Sequence, residues 1–91
     1  MTKTELVEKM ATESELTKKE AGTALDAFIK VVTETLKTDE EIALIGFGTF
    51  KSAIRAERQG RNPATGASMT IPEKRVPSFK AGKALKDAVN I

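Results

Sequence analysis

Apolar positions in the first forty residues repeat with a helical period. Leu6, Val7, Met10 and Ala11 share one face, and Ala21, Leu25, Phe28, Ile29, Val32 and Leu36 make a second, longer stripe. Each stripe follows a capping box, Thr2-Lys-Thr-Glu5 and Thr17-Lys-Lys-Glu20, in which the Thr hydroxyl accepts from the third N–H and the Glu reaches back to the cap N–H. The pattern predicts one helix from the first box and another from Lys18 to Lys37. Glu13-Ser-Glu-Leu16 is a short connection between them, so the pair should form a helical hairpin.

At Glu41 the period changes to that of strands. Glu41-Ile-Ala-Leu-Ile45 and Thr49-Phe-Lys-Ser-Ala-Ile-Arg55 flank the turn signal Gly46-Phe-Gly48, which predicts a β-hairpin. A second turn signal, Gly60-Arg-Asn-Pro-Ala-Thr-Gly66, separates residues 54–59 from 68–76, neither of which has enough large apolar side chains to cover a core. These should form a two-stranded arm that is marginal until it meets a partner. Pro72 and Pro77 are tolerable there because each strand of a ribbon has a free edge. Residues 82–90 read as a short closing helix.

The fold expected is therefore α+β. It comprises a helical hairpin over 1–40, a three-stranded antiparallel sheet from 41–54 and 75–81, an extended β-ribbon arm over 55–74 and a C-terminal helix over 82–90, all in one domain. Without the arm, about seventy residues remain to make a core, a size that seldom yields more than ~3–5 kcal/mol alone. With no cysteine for a disulfide and no metal motif, self-association is the remaining route, and Phe28, Phe47, Phe50 and Phe79 are the candidates for a shared core. An obligate dimer is expected.

Composition removes most chemistry. The chain has 91 residues and no His, Cys, Trp or Tyr, so a Ser-His-Asp triad, a cysteine nucleophile and a histidine or thiolate zinc site are all excluded. The longest apolar run, Ile42–Ile45, is far too short to span a bilayer, and the N-terminus lacks the apolar stretch of a signal peptide. A cytoplasmic location is expected, and the absence of cysteine agrees with a reducing compartment. Acids such as Glu13, Glu15, Asp39, Glu40 and Glu41 follow no ligand spacing and read as a solvated surface. Gly46-Phe-Gly48 lacks the further glycine and lysine of a phosphate loop, so turn chemistry explains it.

The net charge of +2 hides an asymmetry. Residues 1–45 hold six lysines against ten acids; residues 46–91 hold nine Lys and Arg against three acids, and include all four arginines. Residues 51–75 alone carry Lys51, Arg55, Arg58, Arg61, Lys74 and Arg75 against Glu57 and Glu73. Lys80, Lys83 and Lys86 recur every third residue, which taken alone is a solvated face and beside a cationic arm becomes a phosphate-binding surface. Asn62-Pro63 is likewise a common turn dipeptide when taken by itself.

Three segments carry a resemblance: Ile45-Gly-Phe-Gly-Thr-Phe50, Gly60-Arg-Asn-Pro-Ala-Thr-Gly66, and Val76-Pro-Ser-Phe-Lys-Ala-Gly-Lys-Ala-Leu-Lys-Asp-Ala-Val89. In this order and spacing the chain closely resembles the bacterial histone-like HU/IHF family over its whole length. The resemblance implies an intertwined dimer whose two arms wrap the minor groove of double-stranded DNA, with a proline at each tip wedged between base pairs to bend the helix. Carried onto this sequence, Pro63 is the wedge, Arg61 and Asn62 flank it, and Arg55, Arg58, Lys74 and Arg75 line the arm. Lys3, Lys18, Lys80, Lys83 and Lys86 match basic positions that face DNA. Alanine at positions 53 and 67, together with Glu57 and Glu73, makes the arm less cationic than the family pattern. Ile45 points to the HU branch, of low sequence specificity.

The expected function is thus non-enzymatic: a nucleoid-associated protein that binds and bends DNA, favours bent or nicked duplex, and needs no cofactor. It would act as a homodimer, or as a heterodimer with a paralogue. The alternatives are a sequence-specific IHF-like factor, a protein-interaction module using the acidic helical half, and a small carboxylate hydrolase, for which no base or pocket motif is visible.

Overall fold

The computed structural model describes all of residues 1–91 and divides them into two compact units, residues 1–34 and 35–91. The first unit holds α1 (Lys3–Ser14) and most of α2 (Lys18–Leu36). The second predicted capping box forms in full, and the first through its threonine half. Thr2 Oγ1 accepts from the Glu5 N–H at 3.2 Å, and Thr17 Oγ1 accepts from the Glu20 N–H at 3.0 Å while the Glu20 carboxylate accepts from the Thr17 N–H at 3.0 Å. The Thr17 backbone N–H first, and the Thr17 side chain second, hold the Glu20 carboxyl below the ordinary glutamate value. α1 runs into the stretch expected as connection because Glu15 adopts a left-handed conformation (φ 59°), and the N–H groups of Glu15 and Leu16 both return to the Ala11 carbonyl. That ending carries no glycine, so the sequence gives no stop signal there.

The second unit is built on a three-stranded antiparallel sheet of order β1-β2-β5, from β1 (Ile42–Leu44), β2 (Gly48–Arg55) and β5 (Lys74–Ala81). A separate two-stranded sheet pairs β3 (Arg58–Arg61) with β4 (Ser68–Ile71). The expected arm is thus not one ribbon. The β2–β5 ladder stops at Arg55↔Lys74, and pairing resumes at Arg58↔Ile71 in the same register. Pro72 lies in the interruption and has no N–H to donate, which accounts for the missing rungs. Pro77 sits within β5, an edge strand, where a missing donor is tolerated.

The last element, α3 (Lys83–Val89), is seated on the β1–β2 turn. Gly82 is its N-cap and offers no side chain; instead the Gly46 carbonyl accepts from the Leu85 N–H at 3.1 Å, and the Gly82 N–H donates to the Phe47 carbonyl at 2.8 Å. A Cβ at Gly48 would stand 2.4 Å from the Phe79 ring and 2.6 Å from the Lys80 carbonyl, so only glycine lets β2 and β5 approach here.

Little of this chain is buried. Ala11, Ala21 and Leu36 are the buried apolar residues, and no large side chain is fully enclosed. Of the expected helical stripe, Ala21 and Leu36 are covered, Leu25 and Val32 are half-buried, and Phe28 remains 42% exposed. Phe79 stacks on Phe50 at 4.7 Å and on Phe47 at 5.4 Å between centroids, yet Phe47 and Phe79 stay 47% and 41% exposed. The aromatic cluster exists, with one side uncovered.

Candidate nucleic-acid interface

Side chains alternate across a strand, and directly paired residues share a face. The β2–β5 register therefore sorts the cations. Thr49↔Lys80, Lys51↔Ser78 and Arg55↔Lys74 fall on one face, while Phe50↔Phe79, Ser52↔Pro77 and Ile54↔Arg75 fall on the other. Lys51, Arg55, Lys74 and Lys80 are all exposed on the first face. Arg55 stands directly opposite Lys74, a like-charge pair that is destabilising in water and stabilising against an anion laid between the two. Lys51 belongs to this set although the family pattern did not single it out; strand parity, counted from the Gly46-Phe-Gly48 turn, is the signal that finds it.

In the outer ribbon Arg58 pairs with Ile71 and Arg61 with Ser68, and Gln59 Nε2 donates to Thr70 Oγ1 at 3.3 Å. The Ile71 side chain lies across Gly60, where a Cβ would meet it at 2.8 Å. The tip is fixed by its own polar groups. Asn62 Oδ1 accepts from the Ala64 N–H at 2.9 Å, spanning Pro63, and the Asn62 carbonyl accepts from the Gly66 N–H at 2.7 Å. The Asn62 N–H donates to the Ala67 carbonyl at 2.8 Å, and Arg61 Nη1 to the Gly66 carbonyl at 3.4 Å. Pro63 is left exposed at the turn, with Asn62 half-buried behind it.

The remaining expected residues are placed differently. Lys80, Lys83 and Lys86 border a shallow cleft with Ile45, Gly46 and Gly82, gathered there because α3 starts on the turn. Arg75 lies on the opposite face from Lys51, Arg55, Lys74 and Lys80 and bonds Asp39 and Ser52, neither of which the sequence marked as its partner. In the first unit Lys3 pairs with Asp26 at 2.6 Å and Lys18 with Glu8 at 3.8 Å, both among exposed side chains. No group of metal-ligating side chains gathers anywhere in the chain, and no helix is long and apolar enough to cross a membrane.

Comparison with known proteins agrees over the full length. The family model described as bacterial DNA-binding protein matches residues 1–90. DNA-binding protein HU-beta of Salmonella typhimurium is 57% identical over 90 residues, which is 99% of this chain and 100% of the relative. DNA-binding protein HU of Staphylococcus aureus is 53% identical over 89 residues, covering 98% of this chain and 99% of that one. Among solved structures, the Anabaena HU–DNA cocrystal superposes with a TM-score of 0.90 at 41% identity, over 99% of this chain and 98% of that one. HU from Thermotoga maritima gives 0.69 at 29% identity, over 99% and 100%.

Proposed function

This chain belongs to the bacterial DNA-binding protein family that includes the HU proteins, and from that premise we propose that it binds double-stranded DNA with low sequence specificity and bends it. The observation that carries the reading is the cationic face of the arm, where Arg55 stands opposite Lys74 with Lys51 and Lys80 alongside. A phosphate backbone along that face turns a repulsive pair into two attractive contacts. The relative solved with DNA superposes on 99% of this chain.

On this reading the outer ribbon enters the minor groove. Pro63 supplies an apolar ring without an N–H that can sit between unstacked bases, and Arg61, Asn62 and Arg58 lie beside it in the groove. Arg55, Lys74, Lys80, Lys83 and Lys86 take phosphates. Lys3 and Lys18 can join them, because exposed ion pairs such as those with Asp26 and Glu8 are worth little and exchange readily for phosphate.

The working form is an intertwined homodimer. A chain that encloses no large side chain lacks a sufficient core, and a second copy that covers Phe28 in the one unit and Phe47 and Phe79 in the other supplies it, with a paralogue able to take the same place. The role is architectural, with no bond made or broken and no cofactor, and its setting is the nucleoid in the cytoplasm.

The test is electrophoretic mobility on nicked and intact duplex across a salt series. Bending 20–30 bp smoothly costs ~1–6 kcal/mol, so the nicked duplex should bind more tightly. If each dimer neutralises about 6–10 phosphates, affinity should fall by ~10³–10⁵ between 50 and 200 mM salt. Affinity that is flat with salt would refute the proposal, and strong preference for one defined site over random duplex would replace it with a sequence-specific factor.

A further inference from the structure

We propose that Arg75 is a positioning residue of the arm and not one of its phosphate ligands, and that with Asp39 and Ser52 it fastens the root of the arm to the C-terminal end of α2. This rests on the DNA-binding reading above for its functional consequence, while the fastening itself rests on geometry alone.

Three hydrogen bonds run in series. The Ser52 hydroxyl donates to the Leu36 carbonyl at 2.7 Å, and Arg75 Nη1 donates to Ser52 Oγ at 3.0 Å and to Asp39 Oδ1 at 3.0 Å. Leu36 ends α2, so its carbonyl is one of those the helix cannot satisfy internally, and it belongs to a buried residue. The donor and acceptor count closes: the single Ser52 proton goes to Leu36, a lone pair receives Arg75, and the two protons of Arg75 Nη1 are both committed. Ser52 and Arg75 are diagonal neighbours on the phenylalanine face of β2 and β5, within reach of a long side chain.

Two further features set Arg75 apart from the arm cations. Its side chain is only 29% exposed, whereas Lys51, Arg55 and Lys74 are exposed on the opposite face. Its charge is also already answered by Asp39, which sits in a left-handed backbone (φ 67°) shortly after the α2 terminus. Taken together, Arg75 and Asp39 largely cancel at a distance, so the pair adds little to the field that attracts DNA. What it adds is a fixed direction for β2 and β5 before any ligand arrives, which lowers the ordering cost of binding.

The experiment compares the parent with Arg75→Ala, Ser52→Ala and Asp39→Gly. Two readouts are taken: affinity for nicked duplex across a salt series, and amide hydrogen exchange of residues 53–55 and 74–76 in the free protein. Asp39→Gly removes a negative charge from a DNA-binding protein and suits the left-handed backbone, yet it should weaken binding about two- to fivefold, as loss of a partly exposed charged contact does. Arg75→Ala should weaken binding by a similar factor with the slope of log affinity against log salt unchanged, and Asp39→Gly and Ser52→Ala should speed exchange at the arm root. A slope shallower by about one in Arg75→Ala would make Arg75 a phosphate ligand and overturn the proposal, as would tighter binding by Asp39→Gly. Absence of salt-dependent binding by the parent would defeat the DNA reading instead; the exchange rates then decide the fastening, faster rates in Asp39→Gly and Ser52→Ala supporting it and unchanged rates overturning it.

Discussion

Phe79→Ala separates a folded single chain from a shared core. The ring lies 4.7 Å from that of Phe50 and 5.4 Å from that of Phe47, and 41% of the residue is exposed within one chain. Truncating a fully buried phenylalanine costs ~3–5 kcal/mol, so a residue about three-fifths covered should lose ~2–3 kcal/mol if nothing else covers it. If a second copy covers the rest, each chain loses the full amount and a dimer about 6–10 kcal/mol, comparable to the whole stability of a small protein. The assay is equilibrium denaturation, followed by helical circular dichroism at two protein concentrations about tenfold apart, which for a folded dimer shifts the balance by ~1.4 kcal/mol. The parent midpoint should rise with concentration and the variant should be largely unfolded at the lower one. A midpoint independent of concentration, or a variant that loses only the smaller amount, would refute the argument.

Other outcomes follow from single contacts. Gly48→Ala places a Cβ against the Lys80 carbonyl and the Phe79 ring, so its thermal midpoint should fall by the equivalent of at least ~1–3 kcal/mol; an unchanged midpoint would mean that the strands can part freely. Pro63→Ala should reduce the bend more than the affinity, measured by energy transfer on end-labelled duplex, and equal bend angles would dismiss the wedge. Arg61→Ala should weaken binding to all duplex sequences alike in competition titrations, and a loss confined to one sequence would indicate base readout. Because the Glu20 carboxyl is held below its ordinary value when folded, its contribution is present at neutral pH and is lost as pH falls through that range and past the lowered value. Acid titration of helicity should therefore fall more steeply in the parent than in Glu20→Gln, and parallel curves would remove the cap from the account.

The parts of this fold that were legible in the sequence are those fixed by neighbours in the chain. Thr17 and Glu20 announce the start of α2, and glycines at 46 and 48 announce the β1–β2 turn, because each is a local demand on the backbone. The end of α1 was not legible, since Glu15 takes the left-handed cap position usually given to glycine. The partners of Arg75 were illegible for a different reason. Asp39 and Ser52 lie 36 and 23 residues away in sequence, and only the β2–β5 register together with the position of the α2 terminus brings them to one guanidinium. The cationic identity of the arm could be counted from composition, whereas the division of its cations between two faces needed the pairing.

The interrupted ladder at residues 56–57 and 72–73 has a mechanical consequence. Since pairing resumes in unchanged register beyond it, the outer ribbon is joined to its base by two short unpaired stretches that can flex without any strand slipping. On the proposed DNA-binding reading, a curved groove would be followed by bending at that joint, with the pairing register and the alternation of faces beyond it kept.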